Sequence, residues 1–192
     1  MELSYFELFA AAVSLVGVWL TVKRNKLCWL FDIIGTLMYF LIFYNAKLYS
    51  DSALQIIFIV FQIYGWILWT VKLDKTEENQ NDFIIKYLKF KDYLILSVIF
   101  VISSLFIGNV LKKETDAALP FADTSLTVLS IIGSYLQAKK YIENWHLWII
   151  ANAGYIAMLV YKHLYITSFL YFVFLILAVI GLIEWKKFET NK

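Results

Sequence analysis

The stretch Ser14–Tyr39, SLVGVWLTVKRNKLCWLFDIIGTLMY, returns 116 residues later as Ser130–Tyr155, SIIGSYLQAKKYIENWHLWIIANAGY. With no gap, Ser14, Gly17, Leu20 and Lys23 meet Ser130, Gly133, Leu136 and Lys139, while Trp29, Ile33, Ile34 and Tyr39 meet Trp145, Ile149, Ile150 and Tyr155. The register continues through Tyr49, Ser52, Leu54 and Phe58, which meet Tyr165, Ser168, Leu170 and Phe174, and ends on Gly65, Ile67 and Trp69 against Gly181, Ile183 and Trp185. Apolar helices match one another by chance at Ile and Leu, so the weight falls on the paired Trp, Gly and Lys positions. A long ungapped offset of this kind marks an internal duplication.

The unit that is doubled belongs in a membrane. Of 192 residues, 61% are hydrophobic and 17% charged, whereas a soluble domain has about half apolar and a quarter charged residues. Seven apolar runs bounded by charge, Tyr5–Val22, Leu27–Ala46, Ala53–Val71, Tyr93–Leu111, Phe121–Ala138, Trp145–Tyr161 and Tyr165–Trp185, come close to the roughly 20 residues that a spanning helix needs. An isolated helix satisfies its own backbone hydrogen bonds in hydrocarbon, and the alternation of a barrel strand is missing, so all seven are expected to be helical. Tyr5, Trp29, Trp69, Tyr93, Trp145, Tyr161, Tyr165 and Trp185 stand at run ends, where aromatic anchors are expected. Glu2 and Glu7 occupy the place of a basic n-region and no small-x-small site follows, so the first run reads as a span and not as a signal peptide.

Thirteen of the 17 Lys and Arg residues fall on one side of this arrangement, and only Lys47, Lys112, Lys113 and Lys162 fall on the other. The positive-inside rule then places the N-terminus outside and the C-terminus in the cytoplasm. The connection Lys72–Asp92 is expected to be a solvated cytoplasmic linker with no site of its own. An odd linking helix between two triplets restores the starting side. The expected fold is therefore an all-α integral membrane protein of seven transmembrane helices, a 3+1+3 parallel pseudo-repeat. Its parts are a first three-helix bundle over 1–71, linker and linking helix over 72–111, and a second bundle over 112–192. A pseudo-two-fold along the membrane normal would leave a crevice between the bundles near the midplane, as in many transporters.

Composition excludes other classes. Cys28 is the single cysteine, which excludes an internal disulfide framework and Cys-rich metal sites. His146 and His163 fall at opposite membrane edges, so no shared metal is expected, and no cofactor is implied. A formal net charge of +2 implies no polyanionic partner and no nucleic acid.

The chain resembles the PnuC-type family of vitamin transporters, whose members carry nicotinamide riboside and whose relatives carry thiamine. The resemblance extends from about Leu15 to Lys187. It rests on Cys28-Trp29, Phe43-Tyr44 with Lys47-Leu48-Tyr49-Ser50-Asp51, Gln55, Tyr64-Gly65-Trp66 with Trp69, Asp123, Lys139-Lys140, Trp145 with Trp148 and Asn152, Tyr165, and Gly181 with Trp185. It implies a 3+1+3 fold, a homotrimer with one pathway per protomer in a bacterial inner membrane, and facilitated diffusion made one-way by cytoplasmic phosphorylation of the vitamin. The chain departs from the family at Trp29-Leu30, where Trp-Pro is common, and at Asp32, where a neutral residue is expected.

Both vitamins are flat cations with polar appendages, and a cationic ring is attracted to a Trp or Tyr face by about 0.5–2 kcal/mol. Candidate site residues are therefore polar or aromatic residues well inside a span. Gln55, Gln62 and Trp66 share one helix face, and Trp148, Asn152 and Tyr155 form a stripe on another. Gln137 lies near the end of the fifth run, and Tyr64 reads as anchor or gate. In the repeat register Asn152 meets Thr36 and Gln137 meets Thr21, so larger amides stand where the first half has hydroxyls. The bland readings are interhelical hydrogen bonds for the glutamines, an interfacial belt for Trp29, Trp145 and Trp185, and an interfacial place for Cys28. Asp32 is expected to pair with Lys26 or water, with attraction of a cation as the alternative, and Asp123 to cap the fifth helix. The paired Gly17/Gly133 and Gly65/Gly181 read as hinges or close-packing positions. Asn152 and Gln62 suit a carboxamide and a ribose, which favours nicotinamide riboside over thiamine. A membrane enzyme would need a base and nucleophile clustered at one face, and the loops offer only dispersed Lys and Glu. A non-transporting scaffold would not require amides and aromatics on shared stripes in both halves.

Overall fold

A computed structural model describes residues 5–45, 49–70, 83–114 and 119–190. They form α1 Tyr5–Val22, α2 Cys28–Asn45, α3 Tyr49–Thr70, α4 Phe90–Glu114, α5 Pro120–Ala138, α6 Glu143–Tyr161 and α7 Tyr165–Thr190. Each helix falls on one expected span, with ends displaced by a few residues. Four of them, α1, α2, α4 and α7, are each long and apolar enough to cross a membrane. The polar candidates Gln55, Gln62, Gln137 and Asn152 lie on the other three.

The helices pack as two sequential groups, α1 on α2 on α3 and α5 on α6 on α7, which meet where α3 packs on α5 and α1 on α7. α4 packs on α5, and its other face exposes Ile102 and Phe106. Contacts recur at an interval of 116 residues. Ser14 Oγ donates to Ala10 O at 3.0 Å and Ser130 Oγ to Leu126 O at 2.9 Å. Ser52 Oγ donates to Phe40 O, and Ser168 Oγ to Ile156 O, both at 3.5 Å. α1 and α5 end in the same left-handed turn, with Arg24 at φ 57° and Lys140 at φ 63°. Each turn is closed by a six-residue backbone bond, Asn25 N–H to Leu20 O and Tyr141 N–H to Leu136 O, both 2.9 Å. This is the Schellman arrangement, which satisfies carbonyls that a helix end leaves bare.

The tryptophans correct one expectation. Trp29, Trp145 and Trp185 are not an interfacial belt: they are 1%, 1% and 0% exposed. Trp29 and Trp145 lie flush against Gly65 and Gly181, where any Cβ would strike the indole ring. Glycine here gives a large ring a backbone to lie on, the close-packing role of small residues in membrane helices. Trp69 Nε1 donates to Ala138 O at 3.0 Å, and Trp185 Nε1 to Thr21 O at 3.2 Å, so each group's last helix is tied to the other group's first. Cys28 is likewise buried and not interfacial. Asp123 does not cap α5: Leu119 is the N-cap, and Asp123 stands in the first turn, where a negative charge still suits the helix dipole.

The connection before α4 also differs from expectation. Residues 72–82 lie outside the described residues, but 83–88 pack in part against the helices, while Tyr87 and Lys89 stay exposed. Phe83 sits edge-on between Trp69, at 4.8 Å, and Trp185, at 5.0 Å, with Lys140 Nζ over its ring. Lys86 pairs its backbone with Lys140 and Ile142, at 2.9 and 3.0 Å. Glu143 then accepts from Leu88 N–H and Tyr93 O–H, both at 3.1 Å. Tyr87 O–H donates to the Glu189 carboxylate, and that carboxylate, with a smaller contribution from burial, pushes the phenol up to about 12.

Candidate substrate site

The sequence candidates divide into those that the fold gathers and those that it spends on packing. Gln137, near the end of α5, is buried and reaches in two directions. Its Nε2 lies 3.5 Å from Thr21 Oγ1 on α1, and its Oε1 accepts from Trp148 Nε1 on α6 at 3.1 Å. Thr21 and Gln137 are partners in the repeat register, so two equivalent positions touch. Trp69 and Trp185 do the same, with ring centroids 6.3 Å apart.

Deeper in the bundle the two groups differ. Thr36, midway along α2, accepts from Gln62 Nε2 on α3 at 2.7 Å. Asn152 holds the same register midway along α6 and is 5% exposed, yet its amide makes no hydrogen bond among the described residues. In α7 the register of Gln62 is held by Ala178, itself buried, which has no polar group to offer. Gln62 Oε1 is also buried without a partner among the described residues. Both groups stand near mid-helix, about 12 Å from the Cys28 end at 1.5 Å per residue. A buried amide without a partner is costly. An unpaired amide beside an indole is a recognition surface for a flat polar ring.

Other candidates take different roles. Tyr155 lies against Tyr171 of α7 with centroids 4.9 Å apart and the rings tilted by 43°. Tyr171 was not singled out in the sequence, although its register partner is Gln55. Gln55 is half-buried and stands seven residues from Gln62, about 10 Å along α3, so the two do not share a contact. Tyr64 and Trp66 pack partly buried against Cys28, Trp29 and Ala138. Thr21 and Thr36, noted only as register partners, are the hydroxyls that hold Gln137 and Gln62.

Asp32 does not pair with Lys26, which is exposed. It lies against Gly17, where a Cβ would strike its carboxylate. Above it in the α1–α2 turn, Arg24 stacks over Phe188, and that burial lowers its guanidinium below the ordinary value while Glu184 opposes the shift.

Several known proteins are similar to this chain. The model of a family described as "Nicotinamide mononucleotide transporter" matches residues 4–187. "Nicotinamide riboside transporter PnuC" of Escherichia coli (strain K12) is 26% identical over 208 residues, covering 96% of this chain and 86% of that protein. The protein of the same name from Neisseria mucosa is 26% identical over 156 residues, covering 78% and 57%. The crystal structure of the vitamin B3 transporter PnuC superposes with a TM-score of 0.70 at 26% identity, over 93% of this chain and 81% of the other. This chain belongs to the nicotinamide mononucleotide transporter family, and is a multi-pass membrane transporter and not an enzyme.

Proposed function

We propose that this transporter carries nicotinamide riboside across a bacterial inner membrane by facilitated diffusion, with phosphorylation in the cytoplasm retaining what enters. The observation that carries the reading is the side chain of Asn152, largely buried and with no hydrogen bond among the described residues, on one stripe with Trp148. Its relatives' names supply the substrate class. Trp148 offers a face for the cationic ring, and Asn152, Gln62 and Gln137 are amide partners for carboxamide and ribose, with Tyr155 bounding the stripe. Gln55, Tyr64 and Trp66 flank the pathway on α3. A mononucleotide would bring a phosphate dianion, which wants Arg or Lys. Of the polar residues assigned to the pathway, Thr21, Asp32, Thr36, Gln62, Gln137 and Asn152, one is an acid and none is a base, which favours the riboside.

In this reading 1–71 and 112–192 are parallel halves about an axis along the membrane normal, joined through 72–111. The touching register partners, Thr21 with Gln137 and Trp69 with Trp185, support such an axis, because equivalent residues meet only on it. The basic bias supports an outside N-terminus and cytoplasmic C-terminus, and the family resemblance supports a homotrimer.

Calorimetry on the purified protein with nicotinamide riboside and with thiamine tests the substrate. Riboside binding without thiamine binding is expected, and the reverse would transfer the reading to thiamine. Asn152→Ala and Trp148→Ala are expected to weaken riboside binding by at least about tenfold each while the protein stays folded. Wild-type affinity in both would show that the site lies elsewhere.

A further inference from the structure

Asp32 lies one turn into α2, and Thr36 follows one turn later on the same face. A carboxylate inside a membrane bundle is expensive unless a partner answers its charge. Among the described residues Asp32 makes no hydrogen bond and no ion pair. The neighbouring bases are engaged elsewhere. Lys23 Nζ pairs with Glu184 at 3.9 Å and lies over the Trp19 ring, Arg24 lies over Phe188, and Lys26 is exposed. α1 nevertheless keeps room for the carboxylate by placing Gly17 against it.

The same register in the other group holds Trp148, and Gly133 faces it as Gly17 faces Asp32. Trp148 is tied through Gln137 to Thr21, and Thr21 Oγ1 donates to Gly17 O at 3.1 Å. Along α1, then, Gly17 meets the carboxylate of its own group, and Thr21, one turn on, meets the amide that holds the indole of the other group. Resting on the riboside reading and the paired arrangement above, we propose that Asp32 is a substrate-binding residue that selects for positive charge on the ring. The cation then lies between a π face and a counter-charge, and the energetic cost of the lone carboxylate is recovered only when a cationic substrate is present.

The test compares nicotinamide riboside with its reduced dihydropyridine form, which keeps the carboxamide and ribose but carries no ring charge. Wild-type protein is expected to bind the cationic form about tenfold more tightly or better, and Asp32→Asn to erase that preference by weakening the cationic form alone. A wild type that binds both forms alike overturns the proposal without any variant. A variant that weakens both forms equally also overturns it, since lost packing does that. If the wild type takes thiamine instead, the riboside reading falls. Asp32 is then judged on thiamine against neutral thiochrome, by the same two outcomes. Should Asp32→Asn fail to fold, Asp32→Ser is read in its place by the same two outcomes.

Discussion

Thr36 with Gln62 and Asn152 with Ala178 occupy the same register in two groups of helices that repeat each other's turns, serine back-bonds and Trp–Gly contacts. In the first pair a donor meets an acceptor; in the second the register that Gln62 holds in the first group is held by a methyl. The backbone is nearly indifferent to this exchange, because each side chain lies at mid-helix and neither group ends a hydrogen-bonded turn. The chemistry is not indifferent. The first pair spends the amide N–H of Gln62 on Thr36 and the second leaves Asn152 without a hydrogen bond among the described residues, so groups that share a register can present different surfaces.

The most severe way to break the contrast is Asn152→Thr, which gives the second group the residue of the first. Riboside affinity is expected to fall by about 2 kcal/mol, roughly thirtyfold, with little change in thermal unfolding. Calorimetry beside a melting curve reads both. The contacts common to both groups supply the control. Gly65→Ala and Gly181→Ala each drive a methyl into a buried indole and are expected to cost about 1–3 kcal/mol of stability, to similar extents. A melting-temperature loss in one and none in the other would show that the shared contact is not equally structural. The mildest test concerns the reciprocal ties. Trp69→Phe and Trp185→Phe each remove an indole N–H bound to a carbonyl of the other group, at about 1 kcal/mol apiece. Equal shifts would sharpen the pairing, and unequal ones would show which tie bears more strain.

The spans were readable because hydrocarbon demands long apolar helices, and little else in the chain competes with that signal. The tryptophans were misread for a physical reason: an indole at a helix end has the same one-dimensional signature whether it faces headgroups or a neighbouring backbone. The discriminating clue was present, since Trp29 and Gly65 are separated by 36 residues and so are Trp145 and Gly181. Phe83 was hidden by polar company, because packing at a helix crossing depends on what the fold brings near and not on adjacent residues. Asn152 was visible as a polar residue in a span. That it lacks a partner was not, because this depends on Ala178, which the sequence offers as one more alanine.

Phe83 touches the last indole of each group while belonging to neither. Any swivel of α1–α3 against α5–α7 must therefore part it from one ring or drag along the strand-like segment that Lys86 and Glu143 stitch to the α5–α6 corner. A doubled scaffold moving about its axis would be free to tip either way with equal ease. If the halves move as proposed, such a wedge would weight one resting pose over the other.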